Sequence, residues 1–305
     1  MHGVSDECDL NMKAPIGYVV LAFLLVSVAV LLPSEATDTY LSLSLLLLGI
    51  TAILFQKFIH HGSFLDMGFR LNSNAPLGVA IGIIFLGAGF ALTLWLPLRL
   101  GWVHFSANPQ SSAIAEGVPS AVLLIVGGVV LFLMCLFGEE LAFRGYILPQ
   151  LDRSLGSFWA TALCSALFGL WHLPAYYSLY AGGAAEEGLG SVAIMLLAHA
   201  ISAVPICILY LATRELYGVS LIHAVLDLLS YQVIGDPAVG RASTGALYNE
   251  RVLNEGAMVA VNWSWYVMAV VLMLSLCRIA RSMLTENTEP MGEKAAKALG
   301  LPTTT

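Results

Sequence analysis

Charge is what this sequence has least of. Only 11% of its 305 residues are Asp, Glu, Lys or Arg, against 58% hydrophobic, and the mean hydropathy is +0.83. That balance lies outside the range of ordinary soluble domains and points to several membrane spans. Positive charge is the scarcer sign. The net charge is −7, and no basic stripe is present to neutralise phosphates, which excludes nucleic acid as a partner. The opening MHGVSDECDLNMK carries three acids and Lys13, so it lacks the basic n-region of a cleavable signal peptide. The first apolar segment is therefore expected to stay in the mature protein. Of five cysteines, Cys135, Cys164, Cys207 and Cys277 fall inside apolar runs and Cys8 in the head. There is no disulfide framework and no Cys-x-x-Cys metal motif.

Long apolar runs are what the chain does have. A helix needs about 20 mostly apolar residues to cross a bilayer. Such runs cover 16–32, 39–58, 76–98, 119–139, 157–178, 190–213, 217–235 and 257–278. The expected fold class is all-α: a polytopic membrane helix bundle of about eight transmembrane helices. With both termini cytoplasmic, Lys13, Lys57, Arg70, Arg144, Arg153, Arg214, Arg278, Arg281, Lys294 and Lys297 lie inside, and only Arg99, Arg241 and Arg251 lie outside. That bias favours this orientation in the cell membrane. Helices one to three make up residues 1–118, with Gly78, Gly82, Gly87 and Gly89 on the third suited to close helix packing. A loop and the last helix occupy 236–281, and 282–305 reads as a polar cytoplasmic tail, disordered or forming a short surface helix.

Inside the apolar runs few ionisable groups remain: Glu139, Glu140, Arg144, His172, His199, His223 and Asp227. A lone charge near the bilayer centre costs about 3 kcal/mol on insertion scales, so each is a candidate functional residue. "FGEELAFRGY" follows directly on "SAVLLIVGGVVLFLMCL". On an ordinary helix Glu140 and Arg144 stand about 40° apart and can pair, whereas Glu139 is about 140° from the arginine. One carboxylate is thus neutralised, and the other faces elsewhere, without its own cation, as a general base would. In "FGLWHLPAYY", Phe168 and His172 share a face, and Pro174 tends to end the helix where water can enter. In "LIHAVLD", His223 and Asp227 are four apart, so the carboxylate can fix the tautomer of the ring. Glu140 with Arg144 also fits a plain structural clamp, and His199 in "LLAHAISAVP" fits packing or cavity lining.

Read in order, Glu-Glu-x-x-x-Arg at 139–144, Phe-x-x-x-His at 168–172 and His-x-x-x-Asp at 223–227 resemble the CPBP intramembrane proteases. That group is also called the CAAX protease and bacteriocin-processing, or Abi, family, and it includes type II CAAX prenyl endopeptidases. "RGYILPQL" and "ATRELYGVSLIHAVLD" support the resemblance, which makes 119–235 a protease core. It implies helices enclosing a polar catalytic cavity and hydrolysis of a peptide bond in a membrane-associated or lipidated substrate. By position, Glu139 would activate water and His172 would hold it. His223 with Asp227 would stabilise the oxyanion or bind a metal, and Glu140, Arg144 and Phe168 would support the site. Zinc could be held by Glu139, His172 and His223; a metal-free glutamate mechanism serves equally. Because the last motif position holds Asp227, which cannot donate a hydrogen bond when ionised, orientation of His223 is its expected task.

Other protease classes lack their signatures. There is no His-Glu-x-x-His and no second membrane aspartate. The rival readings are a transporter with a Glu/His/Asp proton relay and a non-catalytic, immunity-type membrane scaffold.

Overall fold

The computed structural model describes residues 15–25, 27–28, 34–70, 74–107, 120–174, 188–229, 247–252 and 255–288. Helix α1 is Pro15–Leu25 and α2 is Ser34–Phe58. Helix α3, Asn74–Phe90, continues through a π turn at Ala91–Trp95 and a last turn at Leu96–Arg99. Strand β1 (Val103–Ala107) follows. Helix α4, Ser120–Met134, runs without interruption into a π-helical segment, Cys135–Ile147, and then into α5, Leu148–Trp171. Helices α6, Gly188–Thr213, and α7, Tyr217–Asp227, precede strand β2 (Leu247–Val252) and helix α8, Glu255–Thr288.

Among the described residues three helices are long and apolar enough to cross a membrane: Asn74–Arg99, Ile125–Trp171 and Val192–Thr213. Shorter apolar helices cover Pro15–Leu25, Leu43–Phe58 and Trp263–Ile279. The surface agrees with a lipid solvent. Ile125, Val126, Val129 and Val130 of α4, Phe158 and Trp159 of α5, and Val267 and Val271 of α8 are exposed, a pattern that water would not tolerate in such density.

The expected runs 119–139 and 157–178 are joined by helix rather than by a loop. The one interruption is Gly156, whose φ of 78° and ψ of 161° break the ladder inside α5 at a conformation glycine adopts without strain. Helix α8 reaches Thr288, so the tail begins helical. The rest of that tail, the head with Cys8, and the ends of the runs at 175–178 and 230–235 lie outside the described residues. The fold is mostly helical, as expected; beside the helices, β1 and β2 pair antiparallel, Val103 opposite Val252 and Ala107 opposite Leu247, with an irregularity between His104 and Phe105. Both strands belong to loops placed on one side by the charge count, where backbone groups are free to pair outside a helix.

Close approach of backbones sets the bundle. Gly78 and Gly218 face one another across α3 and α7: a Cβ on Gly218 would meet the Gly78 carbonyl at 2.5 Å. A Cβ on Gly89 would meet the Trp265 ring of α8 at 2.8 Å, and one on Gly82 would meet Gly218 and Ile222 at 3.3 Å, whereas Gly87 has open space around it. The stripe on α3 is therefore packing at three positions and not at the fourth. On the other flank, Tyr18 of α1 is fully buried; its hydroxyl donates to Leu48 O at 2.9 Å, and its ring meets Phe55 and Tyr146 edge-on.

The tightest approach lies between α2 and the π segment, where a Cβ on Gly49 would stand 1.7 Å from the Phe137 carbonyl oxygen. Only backbone could yield, and that backbone leads directly into the acidic pair. Gly49→Ala is expected to destabilise the folded protein by about 1–3 kcal/mol or more, whereas Gly87→Ala should be neutral or mildly stabilising. Paired thermal unfolding in detergent checks this, and equal midpoints for the two variants would contradict the packing described.

Candidate active site

The acidic pair sits in the π segment. Cys135–Ile147 is thirteen residues of i→i+5 ladder, far longer than the single π turns usual near functional sites. Glu139 and Glu140 both face the His223 ring. Glu140 Oε1 is 2.7 Å from Nδ1, and Glu139 Oε2 is 3.4 Å from Nε2.

Arg144 is completely buried, as is Glu140, and its Nη1 donates to Glu140 Oε1 at 2.9 Å. Its guanidinium also lies over the Phe168 ring, 4.4 Å from the centroid. Desolvated, such a contact is worth about 2 kcal/mol. The same Phe168 ring meets Phe143, His172 and His223 edge-on at 5.0–5.6 Å. The phenylalanine of the second motif thus covers the arginine of the first and walls both histidines.

His172 caps the end of α5. Its Nδ1 is 2.9 Å from Phe168 O, and because a carbonyl only accepts, Nδ1 carries the hydrogen and Nε2 presents a lone pair when the ring is neutral. That Nε2 is 4.0 Å from Glu139 Oε1, too far for a direct bond and right for one bridging water. Trp171 Nε1 donates to the same Oε1 at 3.0 Å. Sequence reasoning passed over Trp171, although an indole donor next to the motif histidine in "FGLWHLP" was the signal.

Asp227 Oδ2 is 3.6 Å from His223 Nε2, the nitrogen that also faces Glu139. The carboxylate bonded to Nδ1 is that of Glu140, so the orienting contact expected from Asp227 is made by Glu140 instead. Cys135 Sγ lies 3.7 Å from Asp227 Oδ2. His199 stacks flat on His172, centroids 3.9 Å apart and planes 5° from parallel.

The zinc trio expected from the sequence fits poorly. Tetrahedral zinc with bonds of about 2.0 Å needs nitrogen and oxygen ligands about 3.3 Å apart. The Glu139–His223 edge meets that, but the His172 edge is longer and uses the other carboxylate oxygen. Among the described residues, the ligand atoms that converge within 4.8 Å belong to Cys135, His223 and Asp227.

A buried acid outside the motifs holds α7 in place. Glu215, counted as a loop charge in the sequence, is fully buried and accepts from Gly218 N at 2.9 Å and from the Thr213 hydroxyl at 3.4 Å. Burial pushes its carboxyl above the usual range, against the lowering effect of the Gly218 and Tyr217 backbone bonds.

Residues 119–229 match the family model described as type II CAAX prenyl endopeptidase Rce1-like. That stretch, about a third of the chain, is similar to the CAAX protease family. No curated protein and no solved structure matches it. The matched region of this CAAX protease-like chain starts at α4 and ends just after α7, and so contains every motif residue described above. The similarity, with the three helices long and apolar enough to cross a membrane, supports a membrane-embedded protease of this general type.

Proposed function

We propose that the chain is an intramembrane endopeptidase in which Glu139 activates water to cut a membrane-associated, lipid-modified peptide. The observation that carries this reading is the 4.0 Å gap between Glu139 Oε1 and Nε2 of His172, with Trp171 fixing the carboxylate oxygen from behind. A water bridging the gap donates one hydrogen to each side, leaving its lone pair for the substrate carbonyl.

As that oxygen bonds to carbon, its proton passes to Glu139. Negative charge then grows on the former carbonyl oxygen. Both nitrogens of His223 face carboxylates, so the protonated ring offers two donors: Nδ1–H is held by Glu140, and Nε2–H is free to turn to the oxyanion. Collapse breaks the carbon–nitrogen bond, and Glu139 returns its proton to the leaving amine. Glu140, locked by Arg144, orients His223 in this scheme, and Asp227 adds negative potential that favours the charged ring. A bound metal would supply Lewis acidity, but the residues expected to hold it do not converge, and no step here depends on one.

The test uses the purified chain in lipid nanodiscs with a farnesylated CAAX peptide, its unmodified counterpart and bacteriocin-type leader peptides, with products read by mass spectrometry. Cleavage of the lipidated peptide, reduced at least about 100-fold by His172→Ala, is the expected result. Proton-coupled uptake in liposomes with no peptide cut would instead establish the proton-relay transporter.

A further inference from the structure

Cys135 opens the π segment one turn before the acidic pair, and the hydrolysis above has no use for it. Its side chain is buried, and its sulfur lies 3.7 Å from Asp227 Oδ2. His223 Nε2 is 3.6 Å from that same oxygen and 3.4 Å from Glu139 Oε2. A tetrahedral ion with bonds of about 2.3 Å to sulfur and about 2.0 Å to nitrogen and oxygen sets its ligands about 3.3–3.5 Å apart. The measured edges need to contract by only a few tenths of an ångström. The third edge, from sulfur to imidazole, closes within 4.8 Å.

Electrostatics point the same way. Nε2 of His223 looks at two carboxylates, Nδ1 at a third, and Arg144 pairs with only one of them. The space beside Nε2 therefore calls for positive charge, which a proton or a metal ion can supply. A carboxylate on the far nitrogen, here Glu140, is how metal-bound imidazoles are usually held. A thiolate among the ligands selects zinc-class or cadmium-class ions over magnesium and calcium.

We infer that Cys135, His223 and Asp227 form a soft-metal site at which a zinc-class or cadmium-class ion switches the hydrolysis off. Binding expels the thiol proton of Cys135 and any proton on Nε2, with no change of oxidation state. The bound ion occupies the nitrogen that would meet the oxyanion. It is an inhibitor at this site, opposite in effect to the metal of a metalloprotease. The inhibition rests on the hydrolytic reading of Glu139 and His223; the binding does not.

The test titrates cadmium into the chelator-stripped full chain in detergent, following the ultraviolet thiolate-to-metal absorption, with peptide cleavage measured in parallel. One ion per chain should bind. Cys135→Ser should abolish the band and weaken binding by about 100-fold, the upper range for loss of even an outer-sphere partner. The variant should cleave metal-free at the wild-type rate and resist cadmium. Cys135→Ala serves as a second variant if serine does not fold, thermal unfolding being the check. A missing band in the wild type, or a band unchanged by both variants, overturns the site. A Cys135-dependent band with undiminished cleavage overturns the inhibition, and a wild type that binds cadmium but cuts no peptide overturns the hydrolytic reading alone.

Discussion

Glu139→Gln is expected to lower the turnover of a cleaved peptide by about 10²–10⁴-fold, the usual contribution of a general base, while leaving the fold intact. The amide keeps the size of the side chain, and its oxygen can still accept from Trp171 Nε1. What it loses is the ability to take a proton from water. KM should change little, because the carboxylate acts on the water and not on the ground-state substrate. Thermal unfolding in detergent should match the wild type or exceed it, since one of the carboxylates around His223 has been neutralised. A variant that cuts at more than a tenth of the wild-type rate would remove Glu139 from the chemistry.

Arg144→Met should produce the largest loss of stability, about 3–5 kcal/mol, by leaving Glu140 as a buried charge without its guanidinium. His223 still faces Glu140 at 2.7 Å, which places the expectation toward the lower end. The contact over Phe168 goes too, and with it the plate that walls both histidines, so cleavage should fall with stability. The double variant Glu140→Gln/Arg144→Met should recover most of the unfolding midpoint, because a neutral pair of similar volume carries no desolvation penalty. A loss below about 1 kcal/mol in the single variant would mean that the pair is solvated, contrary to its complete burial.

Both expectations draw on residues that were legible beforehand, and the reason is energetic. An ionisable side chain in an apolar run stands out because the bilayer makes it costly, so Glu139, Glu140, Arg144, His172, His223 and Asp227 could be picked out before any coordinates. Their facing could not. The wheel places side chains only relative to their own helix, and nothing in "CLFGEELAFRGYI" announces a π ladder or the imidazole of α7 that Glu139 and Glu140 both face. Asp227 was assigned the contact that Glu140 makes because local i, i+4 reasoning sees only partners on the same helix. Trp171 and Cys135 escaped because apolar and semi-polar residues do not stand out in an apolar run. The β1–β2 pair was hidden for a related reason, six-residue alternation such as "LYNERV" being a weak signal beside twenty-residue spans.

The β1–β2 pair bears on how rigidly one side of the bundle is held. Two-stranded pairings are weak alone, but this one staples the far ends of α3 and α8, which already lock inside the bundle where Gly89 receives Trp265. Fastened at two heights, those helices make a stiff wall, with α7 pressed against its inner side through Gly78 and Gly218.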